Sequence, residues 1–220
     1  MTHDYTDPAG IEAESMRRIT EELARRKIRL PGEEMDVVLR VIHTTADFDF
    51  AKTLVFHNEA IARGRAALLH HKAVITDTNM ALAGISKPSC RRFGTDARCF
   101  MADSGIAARA KALGTTRAYA AMGYAAEHFP DAVYAIGNAP TALFRLAELI
   151  RESSLAPALV IAVPVGFVNV VEAKEQILDA CDKRSIPVIA SLGRKGGSTV
   201  CAAIVNALFY GIQDEPQDEP

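Results

Sequence analysis

Ala132-Val133-Tyr134-Ala135-Ile136-Gly137-Asn138-Ala139-Pro140-Thr141 joins an apolar run to a Gly/Asn loop, and the loop to a proline where a helix can begin. The run is apolar at successive positions and bounded by turn residues, as a strand buried on both faces must be. The same pattern recurs four times. Residues 73–76 lead into Asp77-Thr78-Asn79-Met80, and 98–102 lead into Asp103-Ser104-Gly105. Residues 158–163 lead into Pro164-Val165-Gly166-Phe167, and 187–190 into Gly193-Arg194-Lys195-Gly196-Gly197-Ser198. A helical pattern follows each loop. Five such units with right-handed crossovers predict an α/β, flavodoxin-like three-layer sandwich built on a five-stranded parallel sheet. Ligands of such sheets bind beyond the carboxyl ends of the strands, where these loops fall.

Upstream of that core the pattern changes. Residues 11–27 read as a helix, with Ile11, Ser15, Ile19 and Leu23 on one face. Pro31-Gly32 breaks the chain, and Glu33-Glu34 opens a second helix, acidic in its first turn as the helix dipole prefers. Val37, Val38, Val41 and Ile42 are its apolar side. Residues 43–50 are short of helix formers and predict an irregular segment, and Asn58 is a candidate N-cap for a helix through Leu69. The two N-terminal helices are additions to the sheet core.

The 220 residues, 49% of them hydrophobic and with a net charge of −2, fit one α/β domain over 1–212. The acidic, Pro-containing stretch 213–220 reads as a disordered tail. The charge balance argues against nucleic acid as a partner. Arg17, Arg18, Arg25, Arg26 and Lys27 read as a solvated helix face. Cys90, Cys99, Cys181 and Cys201 form no C-x-x-C pair, so neither a zinc site nor a disulfide framework is expected. Residues 1–10 are polar and acidic, unlike a signal peptide, and the apolar run at 156–165 is too short and interrupted to span a bilayer. The expectation is a cytoplasmic protein with no membrane contact.

Among the loops, 193–198 is the best anion-binding candidate, because glycines let amides converge beside Arg194 and Lys195. It lacks the order of a Walker A loop. Asn138 or Ala139 would lie near the cap of the helix opened by Pro140. Asp77 is expected to cap the next helix, and Gly114-Thr115-Thr116-Arg117 offers one cation at a helix start. His43 is the sharpest single residue. Arg40 lies one helical turn before it, on the same face, and histidine exchanges protons near neutral pH without special tuning. His57, His70, His71 and His128 read as surface or packing residues.

Taken together, these segments resemble the precorrin-8X methylmutase (precorrin isomerase) family of cobalamin biosynthesis. The resemblance is carried by Arg40-Val41-Ile42-His43-Thr44-Thr45-Ala46-Asp47-Phe48, by residues 76–85 and 136–144, and by Val163-Pro164-Val165-Gly166-Phe167-Val168 with Glu172-Ala173-Lys174. Leu192-Gly193-Arg194-Lys195-Gly196-Gly197-Ser198 completes it. The resemblance implies an isomerase moving a methyl group from carbon 11 to carbon 12 of (cobalt-)precorrin-8, giving cobyrinic or hydrogenobyrinic acid. It implies no cofactor and a homodimer with its active site near the interface. His43 falls on the family's catalytic histidine, the proton donor and acceptor to a ring-C pyrrole nitrogen, and Ser15 and Arg40 fall on substrate contacts. Position 16 is Met where an aromatic often follows that serine. The forms of residues 43–47 and 76–80 look more like the cobalt-loaded branch of the pathway.

A planar macrocycle fringed with carboxylates needs an apolar floor and separated anion-binding points. Our own reading therefore adds Arg117, Arg194, Lys195 and Gly196 as anion contacts, with the helix starts after Gly137 and Gly193. It also adds Thr78, Asn138 and Thr141 as polar contacts, and Met80 and Phe167 against the ring. The metal, on this reading, travels inside the substrate. Two other readings use the same groups: a corrinoid carrier without chemistry, and a flavin or nucleotide protein using the 193–198 loop. The absence of Trp and of a phosphate loop after the first core strand weighs against the flavin reading.

Overall fold

A computed structural model describes residues 8–152 and 154–212. The readings made for residues 1–7 and for the tail lie outside these. The chain opens with helices α1 (Pro8–Arg25) and α2 (Gly32–Thr45), then a single turn, α3 (Phe50–Thr53). Strand β1 (Leu54–His57) and α4 (Ala60–Leu69) follow, then β2 (Val74–Thr76), α5 (Asn79–Gly84), α6 (Lys87–Arg92) and β3 (Ala97–Cys99). Helices α7 (Ser104–Ala112) and α8 (Arg117–His128) precede β4 (Val133–Ile136) and α9 (Pro140–Arg151). The last elements are β5 (Leu159–Ala162), α10 (Val170–Lys183), β6 (Val188–Ser191) and α11 (Ser198–Tyr210).

The sheet has six strands in the order β1-β6-β5-β4-β2-β3, not the five expected. All neighbouring pairs are parallel except β1, which runs antiparallel along β6 with Leu54 opposite Ser191 and His57 opposite Val188. An antiparallel edge strand on an otherwise parallel sheet is a common arrangement. Its sequence is entered straight from the helical turn α3, without the loop that precedes the other five, and only part of it is buried.

Alternate residues of each central strand enter two separate cores. Val133, Leu159, Ile161 and Ile189 face α2, α4, α5 and α11, where Val37, Val38, Val41, Leu68 and Leu208 close the layer. Tyr134, Ile136, Val160 and Val188 face α8, α9 and α10, with Met122, Leu146 and Ile177 among their partners. Burial on both sides is why the strands read as continuous apolar runs. Among the described residues no helix is long and apolar enough to cross a membrane.

Local readings hold at several ends and fail at others. Helix α2 continues through His43, Thr44 and Thr45 before a left-handed Ala46 ends it, so the irregular segment is confined to residues 46–49. Asn58 is not a cap: Glu59 takes that position, and the Asn58 amide instead donates to Asp182 (3.1 Å) and the Ile186 carbonyl (2.9 Å). Thr78, rather than Asp77, caps α5 by accepting the Ala81 N–H at 3.0 Å. The basic residues of α1 pair along its own surface, Arg17 and Arg18 with Glu14 and Arg25 with Glu22, and Arg26 just beyond its end also reaches Glu22. His57 is less isolated than expected, lying 3.0 Å from Asp182.

Candidate active site

Helix α2 buries Val37, Val38, Val41 and Ile42 against the sheet. A period of 3.6 residues then turns Arg40 and His43 outward on one face. His43 is exposed in the last turn. It lines a cleft of about 250 Å³ between α2, the end of α5 and α11, shared with Arg40, Thr44, Thr199, Ala202, Asn206 and Tyr210. Small residues form this floor: a Cβ added at Gly84 would lie 2.8 Å from that of Ala202. Asn206 fixes the turn after α5 by donating to the Gly84 carbonyl (2.9 Å) and accepting the Ser86 N–H (2.8 Å).

Arg40 separates this cleft from a second, of about 280 Å³, lined by Met16, Asp36, Leu39, Ala207 and Gly211. Its guanidinium lies 4.9 Å over the Tyr210 ring and donates to Glu12 at 2.6 Å. An arginine so placed, with one carboxylate partner among the described residues, can exchange that partner for a carboxylate of a ligand. Ser15 is on the same helix as Glu12, and its hydroxyl donates to the Ile11 carbonyl at 2.8 Å.

At the carboxyl edge of the sheet, Asp77 is fully buried after β2. Its two oxygens accept the N–H groups of Gly137 (2.8 Å), Asn138 (2.8 Å) and Ala139 (2.6 Å). Burial pushes the Asp77 pKa up, while these three donors pull it down. The amides after Gly137 are therefore occupied, and the expectation that they serve a substrate anion is corrected. Thr78 joins β2 to α11 through a 2.8 Å bond to the Ser198 hydroxyl, one residue from Thr199 in the cleft.

The 193–198 loop is tightly built. Gly196 has φ +157°, and a Cβ there would lie 2.1 Å from the Val163 carbonyl oxygen, so only glycine fits. The Gly197 N–H donates to that oxygen at 2.8 Å, and the Gly166 N–H donates to the Arg194 carbonyl at 3.2 Å. Lys195 reaches away from the loop to Asp47 and Asp49, each at 2.6 Å. Asp47 comes four residues after His43, so this pair ties the end of α2 to the loop. Lys195 holds the Asp47 carboxyl below its usual range, and the two carboxylates raise the Lys195 ammonium. Beneath the loop the buried Lys174 donates to the Ser191 hydroxyl (3.1 Å) and to the Gly193 and Lys195 carbonyls (2.8 Å each).

Arg194 is exposed and lies 5.5 Å over the Phe167 ring. Phe167 is 83% exposed, Val168 76% and Met80 68%, so the edge presents large apolar side chains to whatever covers it. Arg117 and Thr141 lie on the other side of the sheet, at the starts of α8 and α9. Arg117 reaches the Met101 carbonyl at 3.5 Å, and Thr141 bonds Thr116 at 2.8 Å. Arg40 thus shares the cleft of His43, Thr78 and Lys195 connect to it, and Arg117 and Thr141 stand apart. Sequence reasoning missed Thr199, Asn206, Tyr210 and the anchoring role of Lys174. Only the packing of α11 on α2 and the bend of the loop over α10 reveal them.

A family model described as precorrin-8X methylmutase matches residues 10–211. A cobalt-precorrin-8 methylmutase of Priestia megaterium is 40% identical, over 91% of this chain and 87% of its own length. One of Salmonella typhimurium is also 40% identical, over 96% of this chain and 99% of its own. A crystal structure of a precorrin-8X methylmutase from Thermus thermophilus superposes with a TM-score of 0.84 at 39% identity, covering 92% of this chain and 95% of that one.

Proposed function

Because the chain belongs to the precorrin-8X methylmutase family, we propose that His43 handles the proton of its methyl shift. The protein is an isomerase of cobalamin biosynthesis, moving a methyl group from carbon 11 to carbon 12 of (cobalt-)precorrin-8. The observation that carries the His43 assignment is its exposure in a small-residue cleft beside Arg40, whose carboxylate partner Glu12 is exchangeable. Protonating a pyrrole nitrogen draws electron density from the conjugated ring and eases migration of the methyl. A positioned imidazole supplies that proton and takes it back, a contribution of about 10²–10⁴ in rate.

Around that centre, Arg40 takes a substrate carboxylate with Glu12 giving way, and Ser15 and Thr78 offer hydroxyls. Arg194 and Arg117 meet further carboxylates along the edge, Asn138 and Thr141 add polar contacts, and Met80 and Phe167 lie against the ring. Lys195 and Gly196 act chiefly by fixing the loop, since the lysine's charge is already met by Asp47 and Asp49. The separation of Arg117 and Thr141 from the His43 cleft, with the exposed apolar edge, supports a homodimer in which two copies complete one site. Cobalt-precorrin-8 is the favoured substrate, since both 40% identical relatives above carry that name. The order of the parallel strands, β6-β5-β4-β2-β3, supports the flavodoxin-like reading, and the sharing of one sheet by both cores supports one domain over 1–212. The cytoplasm is the setting we assign.

The test is the visible spectrum of the protein with precorrin-8 or cobalt-precorrin-8, beside His43→Ala. A colour change in wild type that is lost in the variant, with the corrinoid still bound, is the expected result. Normal turnover by His43→Ala would sink the assignment, and a bound spectrum that never changes would turn it toward a carrier.

A further inference from the structure

Lys174 is 1% exposed, yet it meets no carboxylate among the described residues. A buried lysine ordinarily pairs with an acid or sends its head to water. Here the three ammonium hydrogens match three oxygens: the Ser191 hydroxyl and the Gly193 and Lys195 carbonyls. The Ser191 hydroxyl in turn donates to the Lys195 carbonyl at 2.8 Å. The loop so held carries Lys195, whose side chain grips Asp47 and Asp49 just beyond His43.

We propose that Lys174 is a positioning residue for the methyl shift: its ammonium sets the 193–196 loop, which through Lys195 and Asp47 sets the His43 end of α2. The proposal rests on the assignment of His43 as the proton-handling residue. A distinct pH signature accompanies it. Burial brings the Lys174 pKa down to about 8. Above that pH the neutral amine offers two N–H groups to three acceptors, and the loop loosens. On α10 the flanking carboxylates Glu172 and Glu175 are exposed, and at the loop Lys195 is paired with Asp47 and Asp49 beside the exposed Arg194. Burial is the resolved cause of its shift.

The experiment compares Lys174→Met and Ser191→Ala with wild type. It records single-turnover conversion of cobalt-precorrin-8 and precorrin-8 from about pH 6 to 10, corrinoid affinity, and amide exchange of residues 193–197. Wild type should lose rate on an alkaline limb near pH 8, set by Lys174. Lys174→Met should lower the neutral-pH rate by about 100-fold, with affinity changed far less, and should lack that limb. Its loop amides should exchange roughly tenfold faster. Ser191→Ala should shift rate and exchange in the same direction but less, keeping the limb. A Lys174→Met protein with wild-type rate and limb overturns the proposal, as does a slower one with unchanged loop exchange. If Lys174→Met fails to fold, Ser191→Ala decides, and wild-type rate and exchange there overturn it. Wild-type protein that converts neither corrinoid sinks the isomerase reading instead, and loop exchange alone then decides what the lysine does.

Discussion

Asp77 works as an acceptor for the backbone of a neighbouring loop, which sequence position alone does not disclose. Its two oxygens terminate three amides that would otherwise be orphaned at the start of α9. Asp77→Asn sets an NH₂ group against at least one of those N–H donors. It should cost about 2–3 kcal/mol, read as a lower thermal midpoint; an unchanged midpoint would contradict the role. Gly196→Ala is the sharper steric case, because its Cβ would meet main-chain oxygen rather than a movable side chain. A loss of about 3 kcal/mol or more is expected in denaturant titration. Both residues stand in recognisable sequence motifs, but their partners lie in the loops that follow other strands, β4 for Asp77 and β5 for Gly196. The motif was legible, and its mechanical job was not.

Among the elements, four of the five parallel strands were legible because double burial forces continuous apolar runs, whereas the edge strand β3, with Arg98 exposed, was marked chiefly by the loop after it. Thr116 before α8 caps as its type prefers, accepting the Tyr119 N–H at 3.2 Å. Strand β1 was not legible. It is only partly buried, it follows the helical turn α3 directly, and its partner is the last strand of the sheet. Asn58 misled because its capping preference is satisfied instead by α10 and the turn before β6. At the site, Arg40 and His43 followed from one helical period, whereas the α11 wall of their cleft required tertiary packing. The tie between the α2 end and the 193–196 loop makes its own prediction. If Lys195 acts by holding that loop, Asp47→Asn combined with Asp49→Asn should reproduce the fall in turnover caused by Lys195→Met. If Lys195 instead meets the substrate directly, the Asp pair variant should bind corrinoid as well as or better than wild type. The tie should also persist in mild acid. Asp47 has a folded pKa below its ordinary 3.8, so its contribution is present above that value and is lost as pH falls through the lowered one.

For the whole molecule, thiol chemistry reports on the closure of both cores. Cys181 lies in one and Cys201 in the other. Burial pushes the Cys181 thiol up to about 12 and that of Cys201 well above its usual value. Neither should react with a disulfide reagent at pH 8 until denaturant opens the fold; rapid native labelling of either would mean that its core breathes. Light scattering should give twice the chain mass if two copies share the exposed apolar edge, and a single chain mass would remove that support. The antiparallel strand β1 has a further consequence in the order of synthesis. Leu54 must wait for Ser191 before it has a neighbour, and α2 must wait for α11. A ribosome therefore releases the histidine-bearing helix long before the wall it packs on exists. Activity should appear in one step, only when the last helix has emerged; nascent chains cut short of Val188 should leave β1 without its strand partner, those cut short of Ser198 should leave α2 without its wall, and both should depend on chaperones until then.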